Sequence, residues 1–235
     1  MLNLYRWVQT PNSDWYKNRG QVSGAQDPYV SKFDSDGNYQ WARTWGAGYD
    51  DQSWGVVFTD NNNILVLTWF AQTVDFDPGP GVVYRSSKGD SHDIALSEFD
   101  KDGNFISVIN WGGYGQERAY RVERDATGNI LVPGSFSQNV DFDPGTGVYE
   151  LVSNGDTDAF LLKLDPYGEF LWIQGWGGEG ADGAIDVALD QKGNAGTSGY
   201  FSSSVDFNPG PAIDEHTSNG GEDIFLTKFG PNGGW

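Results

Sequence analysis

Val74-Asp75-Phe76-Asp77-Pro78-Gly79 returns as Val140-Asp141-Phe142-Asp143-Pro144-Gly145, and with one change as Val205-Asp206-Phe207-Asn208-Pro209-Gly210. The copies lie 66 and 65 residues apart. Other markers keep the same register. Phe33-Asp34-Ser35-Asp36-Gly37-Asn38 recurs as Phe99-Asp100-Lys101-Asp102-Gly103-Asn104 and, more loosely, as Leu164-Asp165-Pro166-Tyr167-Gly168-Glu169. Trp45-Gly46 recurs as Trp111-Gly112 and Trp176-Gly177. Several independent markers at one period define a repeat array, with copies at about 27–92, 93–157 and 158–222 and a partial copy at 223–235.

Each copy reads as four short strands. In the third, 158–164 is rich in β-formers, Pro166-Tyr167-Gly168 makes a turn, and 170–176 is the next strand. Ala184 to Leu189 has period-two character, Gln191-Lys192-Gly193-Asn194 is a hairpin turn, and the fourth strand runs to Phe201. No segment carries a helical period. The expected fold is therefore all-β: a β-propeller of four-stranded antiparallel blades, forming a single domain over 1–235. A parallel β-helix is the competing solenoid. The repeat is longer than a familiar blade, and the surplus is expected in a loop after the motif, such as Gly81 to Ser91. Trp235 falls where Phe170 lies in the third copy, and Tyr5-Arg6-Trp7-Val8-Gln9 matches Phe170-Leu171-Trp172-Ile173-Gln174. That match predicts about four blades, closed by an N-terminal strand (within 2–10) completing the last, with a short blade between Thr10 and Gln26.

The stretches Asp223-Ile224-Phe225-Leu226-Thr227-Lys228-Phe229, Trp41-Ala42-Arg43-Thr44-Trp45-Gly46 and Asp125-Ala126-Thr127-Gly128-Asn129-Ile130-Leu131-Val132, together with the Val-Asp-Phe-Asp-Pro-Gly motif, resemble the bacterial SBBP-type β-propeller repeat proteins. The resemblance covers roughly Gln26 to the C-terminus. It implies a secreted or surface-attached bacterial protein and does not imply an activity.

The net charge of −19 disfavours nucleic acid and anionic membranes as partners. With no cysteine there is no disulfide and no thiolate metal site. No stretch is long enough for a membrane-spanning helix, and the first residues do not form a signal peptide, so an exported protein would be represented here by a mature form or a fragment.

Candidate chemistry sits in three places. Asp75 and Asp77, Asp141 and Asp143, and Asp206 and Asn208 place two oxygens two residues apart in a Gly-bearing turn, which suits calcium. The same oxygens suit the alternative role of accepting backbone N–H groups to hold the turn. Trp54 and Tyr114 are not copied in every repeat, which marks them as ligand-binding candidates on a repeated scaffold. Arg121 and Glu123 occupy an inner strand where Gly55/Val57 and Ile185/Val187 are the matching residues; with Asp186 they are expected to line a channel or pair together. His92 and His216 lie at different repeat positions and form no metal pair. Trp45, Trp111 and Trp176 recur and are assigned to the core.

The expected function is a non-catalytic extracellular module for glycan or protein binding or for scaffolding, with calcium as a candidate stabiliser, as a monomer or homodimer. The competing expectation is a hydrolase or lyase acting on a polysaccharide or ester at a channel mouth.

Overall fold

The computed structural model describes residues 26–89 and 91–235, and every regular element in it is a β-strand. The first hairpin is β1 (Tyr29–Phe33) with β2 (Tyr39–Thr44). The first complete unit is β3 (Gln52–Phe58), β4 (Ile64–Ala71), β7 (His92–Phe99) and β8 (Phe105–Gly113), with the small hairpin β5 (Thr73–Asp75) and β6 (Tyr84–Ser86) inserted. The second has an inner strand in two pieces, β9 (Glu117–Ala119) and β10 (Glu123–Arg124), then β11 (Ile130–Phe136), β14 (Asp158–Leu164) and β15 (Phe170–Trp176), with the inserted hairpin β12 (Asn139–Asp141) and β13 (Glu150–Val152). The third is β16 (Gly183–Leu189), β17 (Ala195–Phe201) and β20 (Asp223–Phe229), with β18 (Ser204–Asp206) and β19 (Glu215–Thr217) inserted. The pairings between these strands are all antiparallel, in the orders β3-β4-β7-β8, β9/β10-β11-β14-β15 and β16-β17-β20. The predicted closing strand at Tyr5 to Gln9 and the short blade before Gln26 lie outside the described residues.

Two expectations change. A sheet does not coincide with a sequence copy: it joins the last two strands of one copy to the first two of the next. The surplus after the motif is a hairpin rather than a loop, because the motif begins as strand and 84–86 returns beside it.

The hairpin explains the motif. Along an extended chain, alternate side chains point to opposite sides. Val74, Val140 and Val205 point inward and are buried, as are Phe76, Phe142 and Phe207. Each motif Phe meets the last Phe of the preceding strand edge to face: Phe70–Phe76 at 5.0 Å, Phe136–Phe142 at 5.2 Å and Phe201–Phe207 at 5.1 Å between centroids. Each such ring contributes roughly 1.5–3 kcal/mol of burial. The hairpin also reaches the neighbouring unit. Val140 and Asp141 pair with Gly113 and Gly112 of β8, and Val205 bridges Gly178 after β15. Glycine is required at these crossings. A Cβ at Gly113 would stand 2.2 Å from the Asn139 carbonyl oxygen, and one at Gly178 2.0 Å from that of Ser204.

The units stack face to face. Val30, Ile64, Val66, Phe70 and Phe99 fill the first junction, and Leu67, Ile94, Leu96, Val132 and Phe160 the second. Leu131, Leu161, Val187 and Phe225 fill the third. The recurring tryptophans are core, as expected. Trp45 lies 5.2 Å from Phe99 and Trp176 5.2 Å from Phe229, while Trp111 is buried in the second junction.

Candidate functional site

The motif oxygens hold turns. Asp75 Oδ1 accepts from the Asp77 and Val83 N–H groups at 3.2 and 2.9 Å, and Asp77 Oδ1 from Gly79 at 2.7 Å. Asp141 and Asp143 repeat this on Asp143, Tyr149 and Gly145, and Asp206 and Asn208 on Asn208, Asp214 and Gly210. Among the described residues no three His, Cys, Asp or Glu side chains gather as a metal site. In each turn the two side chains supply few of the six to eight oxygens calcium takes, so a cation there would draw most of its ligands from loop carbonyls and water. The Asp34, Asp100, Asp125 and Asp190 turns use the same device, each Oδ1 accepting from the N–H groups two and four residues on.

Arg121, Glu123 and Asp186 come together across the second and third units. The Arg121 guanidinium lies 2.5 Å from Glu123 Oε1 and 3.5 Å from Asp186 Oδ1. The matching residue at this level is Asp186 rather than Ile185. Gly55 pairs with Leu67 as Asp186 pairs with Ser198, and Trp54 and Ile185 occupy the bulges. A bulge adds a residue to one strand only, so counting along the chain slips by one there. The pairing leaves this trio as an ion-paired staple between inner strands.

Trp54 belongs to a different group. It stacks on Trp69 at 6.1 Å and 13°, with the edge of Tyr120 at 5.3 Å. Trp69 also meets His92 at 4.7 Å and lies 5.7 Å under the Arg118 guanidinium. His92 is the first residue of β7, its Nε2 lies 3.0 Å from the Asp50 carbonyl oxygen, and its neighbour Asp93 is buried. Tyr200 adjoins Tyr120, and burial raises the pKa of its phenol. Tyr114 is exposed on the same loop end, near Gly89. The positions are shared by all units but the chemistry is not: Trp54, Tyr120 and Ile185 correspond, as do Trp69, Ser135 and Tyr200, and His92, Thr157 and Glu222. Trp69, Arg118, Tyr120 and Tyr200 carried no signal in the sequence beyond being unlike their counterparts. His216 instead lies beside Asp214, at 3.1 Å.

The same loop end holds buried acids that the sequence reading missed, although they recur in register. Asp51, Glu117 and Asp182 are fully buried. Asp51 accepts from the Ala47 and Ala71 N–H groups, both at 2.9 Å, and Asp182 from Gly178 and Ser202 at 2.8 and 3.0 Å. Glu117 accepts from Gly113 at 2.9 Å, and its Oε1 has no hydrogen-bond partner. Asp93 and Asp158 form a second buried set; Asp93 receives the Lys88 N–H, and Asp158 the backbone and side-chain N–H groups of Asn154. Burial raises all five. Asp51 and Asp158 reach about 6 and Asp93 about 7. Glu117 reaches about 8, with the charge of Asp93 adding to the effect, and Asp182 rises as well.

No family model matches the chain. A comparison with curated proteins finds an uncharacterised WD repeat-containing protein, L264, of Acanthamoeba polyphaga mimivirus, 27% identical over 131 residues. The match takes in 48% of this chain and spans only 9% of that protein. A distant WD-repeat relative and an all-β array of stacked sheets agree on a repeat module of propeller-like character. Among the described residues no helix is long and apolar enough to cross a membrane.

Proposed function

We propose that the stacked units are blades of a β-propeller and that the chain is a non-catalytic binding module, taking a glycan at the loop end around Trp54. The observation that supports this most is the group Trp54, Trp69, His92, Arg118 and Tyr120, built once on a scaffold whose other units carry different residues there. Aromatic rings suit the apolar face of a sugar, while the Arg118 guanidinium offers donors to its hydroxyls. Tyr49 and Tyr114 are exposed on the flanking loops. The resemblance to SBBP-type repeats adds an extracellular bacterial setting to the proposal, and calcium enters it only as a stabiliser of the motif turns.

A glycan array followed by calorimetry tests the reading. Wild type is expected to retain one class of glycan, and Trp54→Ala and Arg118→Ala each to weaken binding about tenfold or more with the circular dichroism unchanged. Retention of no glycan by the folded protein refutes it. Release of new reducing ends from a bound glycan would instead establish an enzyme, a lyase if an unsaturated sugar forms at the cut and a hydrolase if none does. Melting with added Ca²⁺ and then EDTA checks the stabiliser: a midpoint that moves with neither removes calcium.

A further inference from the structure

Every other arginine among the described residues gives its guanidinium N–H groups to oxygen. Arg43 donates to the Gly103 and Asp102 carbonyls, Arg85 to those of Tyr84 and Val108, and Arg124 to Phe58, Gly128 and Asp60. Arg121 is paired with Glu123. Among the described residues Arg118 donates to no oxygen; it lies over the Trp69 ring, 5.7 Å from its centroid. Alternation in β9 sets this placement. Glu117 and Ala119 point inward and are buried, so Arg118 points outward and is exposed. A guanidinium stacked by its face keeps its N–H groups in its own plane, free at the edge and fixed in direction. The matching residues of the other units are Gln52 and Gly183, which pair with Trp69 and Tyr200 as Arg118 pairs with Ser135. The cation is therefore built once. Its charge acts on His92 and on the Tyr200 phenol, which puts both side chains near it.

Building on the glycan-binding reading, we propose that the glycan is acidic and that Arg118 holds the carboxylate of a uronic acid beside the Trp54 group. A carboxylate presents two oxygens in one plane, which match two parallel N–H groups of the guanidinium fork. A hydroxyl answers one such donor and leaves the rest of the fork to water. The carboxyl group of a uronic acid sits on the sugar ring itself. Anchoring it at Arg118 therefore brings the ring alongside Trp54 and Tyr120, which meet edge to face at 5.3 Å. The net charge of −19 opposes an anion at long range, but screening over about 8 Å at physiological salt leaves the nearest charge to decide. Asp50 and Glu222 act on His92 and Tyr200 and oppose an anion placed away from Arg118.

Calorimetry on the full chain tests this, with oligomers of galacturonate, glucuronate and mannuronate, each beside its carboxyl-reduced neutral counterpart. At least one uronate is expected to bind about tenfold or more tighter than its reduced counterpart, and the gap to narrow as salt rises. Arg118→Gln removes the charge and should bring the two forms to equal affinity. Arg118→Lys keeps the charge without the fork and should lose most of the preference. Reduction changes only the ligand, so the first comparison stands whether or not a variant folds. A reduced glycan that binds as tightly as its uronate overturns the carboxylate and leaves the glycan reading intact. A preference that survives Arg118→Gln in a folded variant overturns the role of Arg118. Binding of neither form overturns the proposal as well, while the array of neutral glycans decides the wider reading separately.

Discussion

Raising the pH from 5 to 8 should destabilise this protein, and Glu117→Gln should remove much of the loss. Glu117 and Asp93 are buried together behind Gly112 and Gly113, and Glu117 Oε1 has no donor. In the unfolded chain both acids ionise near pH 4; in the fold they keep a proton to about 8 and about 7. Between those limits the folded state binds more protons than the unfolded one, so stability falls as pH rises. It is fully present below the unfolded values and gone above the folded ones. From pH 5 to 7 a single retained proton corresponds to about 3 kcal/mol, at about 1.4 kcal/mol for each pH unit. For a chain of this size that is roughly 6–12 °C in melting midpoint. Asp51, Asp158 and Asp182 act in the same direction. Gln at 117 keeps an oxygen for the Gly113 N–H and turns an amide toward Asp93, with no charge to bury. Thermal melts of both proteins at pH 5, 6, 7 and 8 decide the matter. Wild type should lose midpoint steadily, and the variant should lose less and be the more stable at pH 8. The reasoning is refuted if wild type melts no lower at pH 8 than at pH 5, or if the variant keeps the full slope. Lower overall negative charge also favours acid pH, but one substitution among 33 acids barely changes that background, so the variant isolates the pair.

Lys163 is buried in a strand and pairs with the equally buried Asp125 at 2.9 Å, with the Pro231 carbonyl as a second acceptor. Lys163→Met strands that carboxylate and should cost about 3 kcal/mol in urea unfolding; an unchanged midpoint would show the pair to be dispensable. At low pH the order of effects reverses. Asp125 is held well below the usual carboxylate range by its hydrogen bonds with Lys163, Thr127 and Asn129, which outweigh its burial, and Asp190 is lowered to about 2 chiefly by Asn194. Their stabilisation is present above the unfolded pKa and disappears as pH falls toward the folded one, so an acid unfolding limb is expected below about pH 4. Gly134→Ala places a methyl 2.1 Å from the Arg118 carbonyl oxygen and 2.5 Å from the Phe160 ring. A backbone atom cannot step aside as a side chain does, so a loss of about 1–3 kcal/mol is expected; a variant as stable as wild type would show that β9 moves freely.

Local chemistry made much of the protein legible from its sequence. The 65 to 66 residue period, the alternation of Val74 and Phe76 against Asp75, and the Gly and Asn turns each act within a few residues of themselves. They specify strands, hairpins and a repeated core, and the core role of Trp45, Trp111 and Trp176 follows from the repetition. Which strands share a sheet depends on contacts between distant residues. The short stretch Gly177 to Asp182 crosses from one sheet to the next, while the much longer excursion from Phe201 to Asp223 leaves and re-enters a single sheet. Chain length between strands does not reveal that choice; stacked faces and crossings such as Gly178 on Val205 make it. The same reason hid the sites. Asp93 beside Glu117, and Arg118 over Trp69, are neighbours only because two units pack together, so burial and charge at those points are properties of the junction and not of either segment. Sequence by itself determined the repeated strand-and-turn unit, and the tertiary structure decided how units share strands and what their shared loop end presents, because those contacts form between segments remote along the chain.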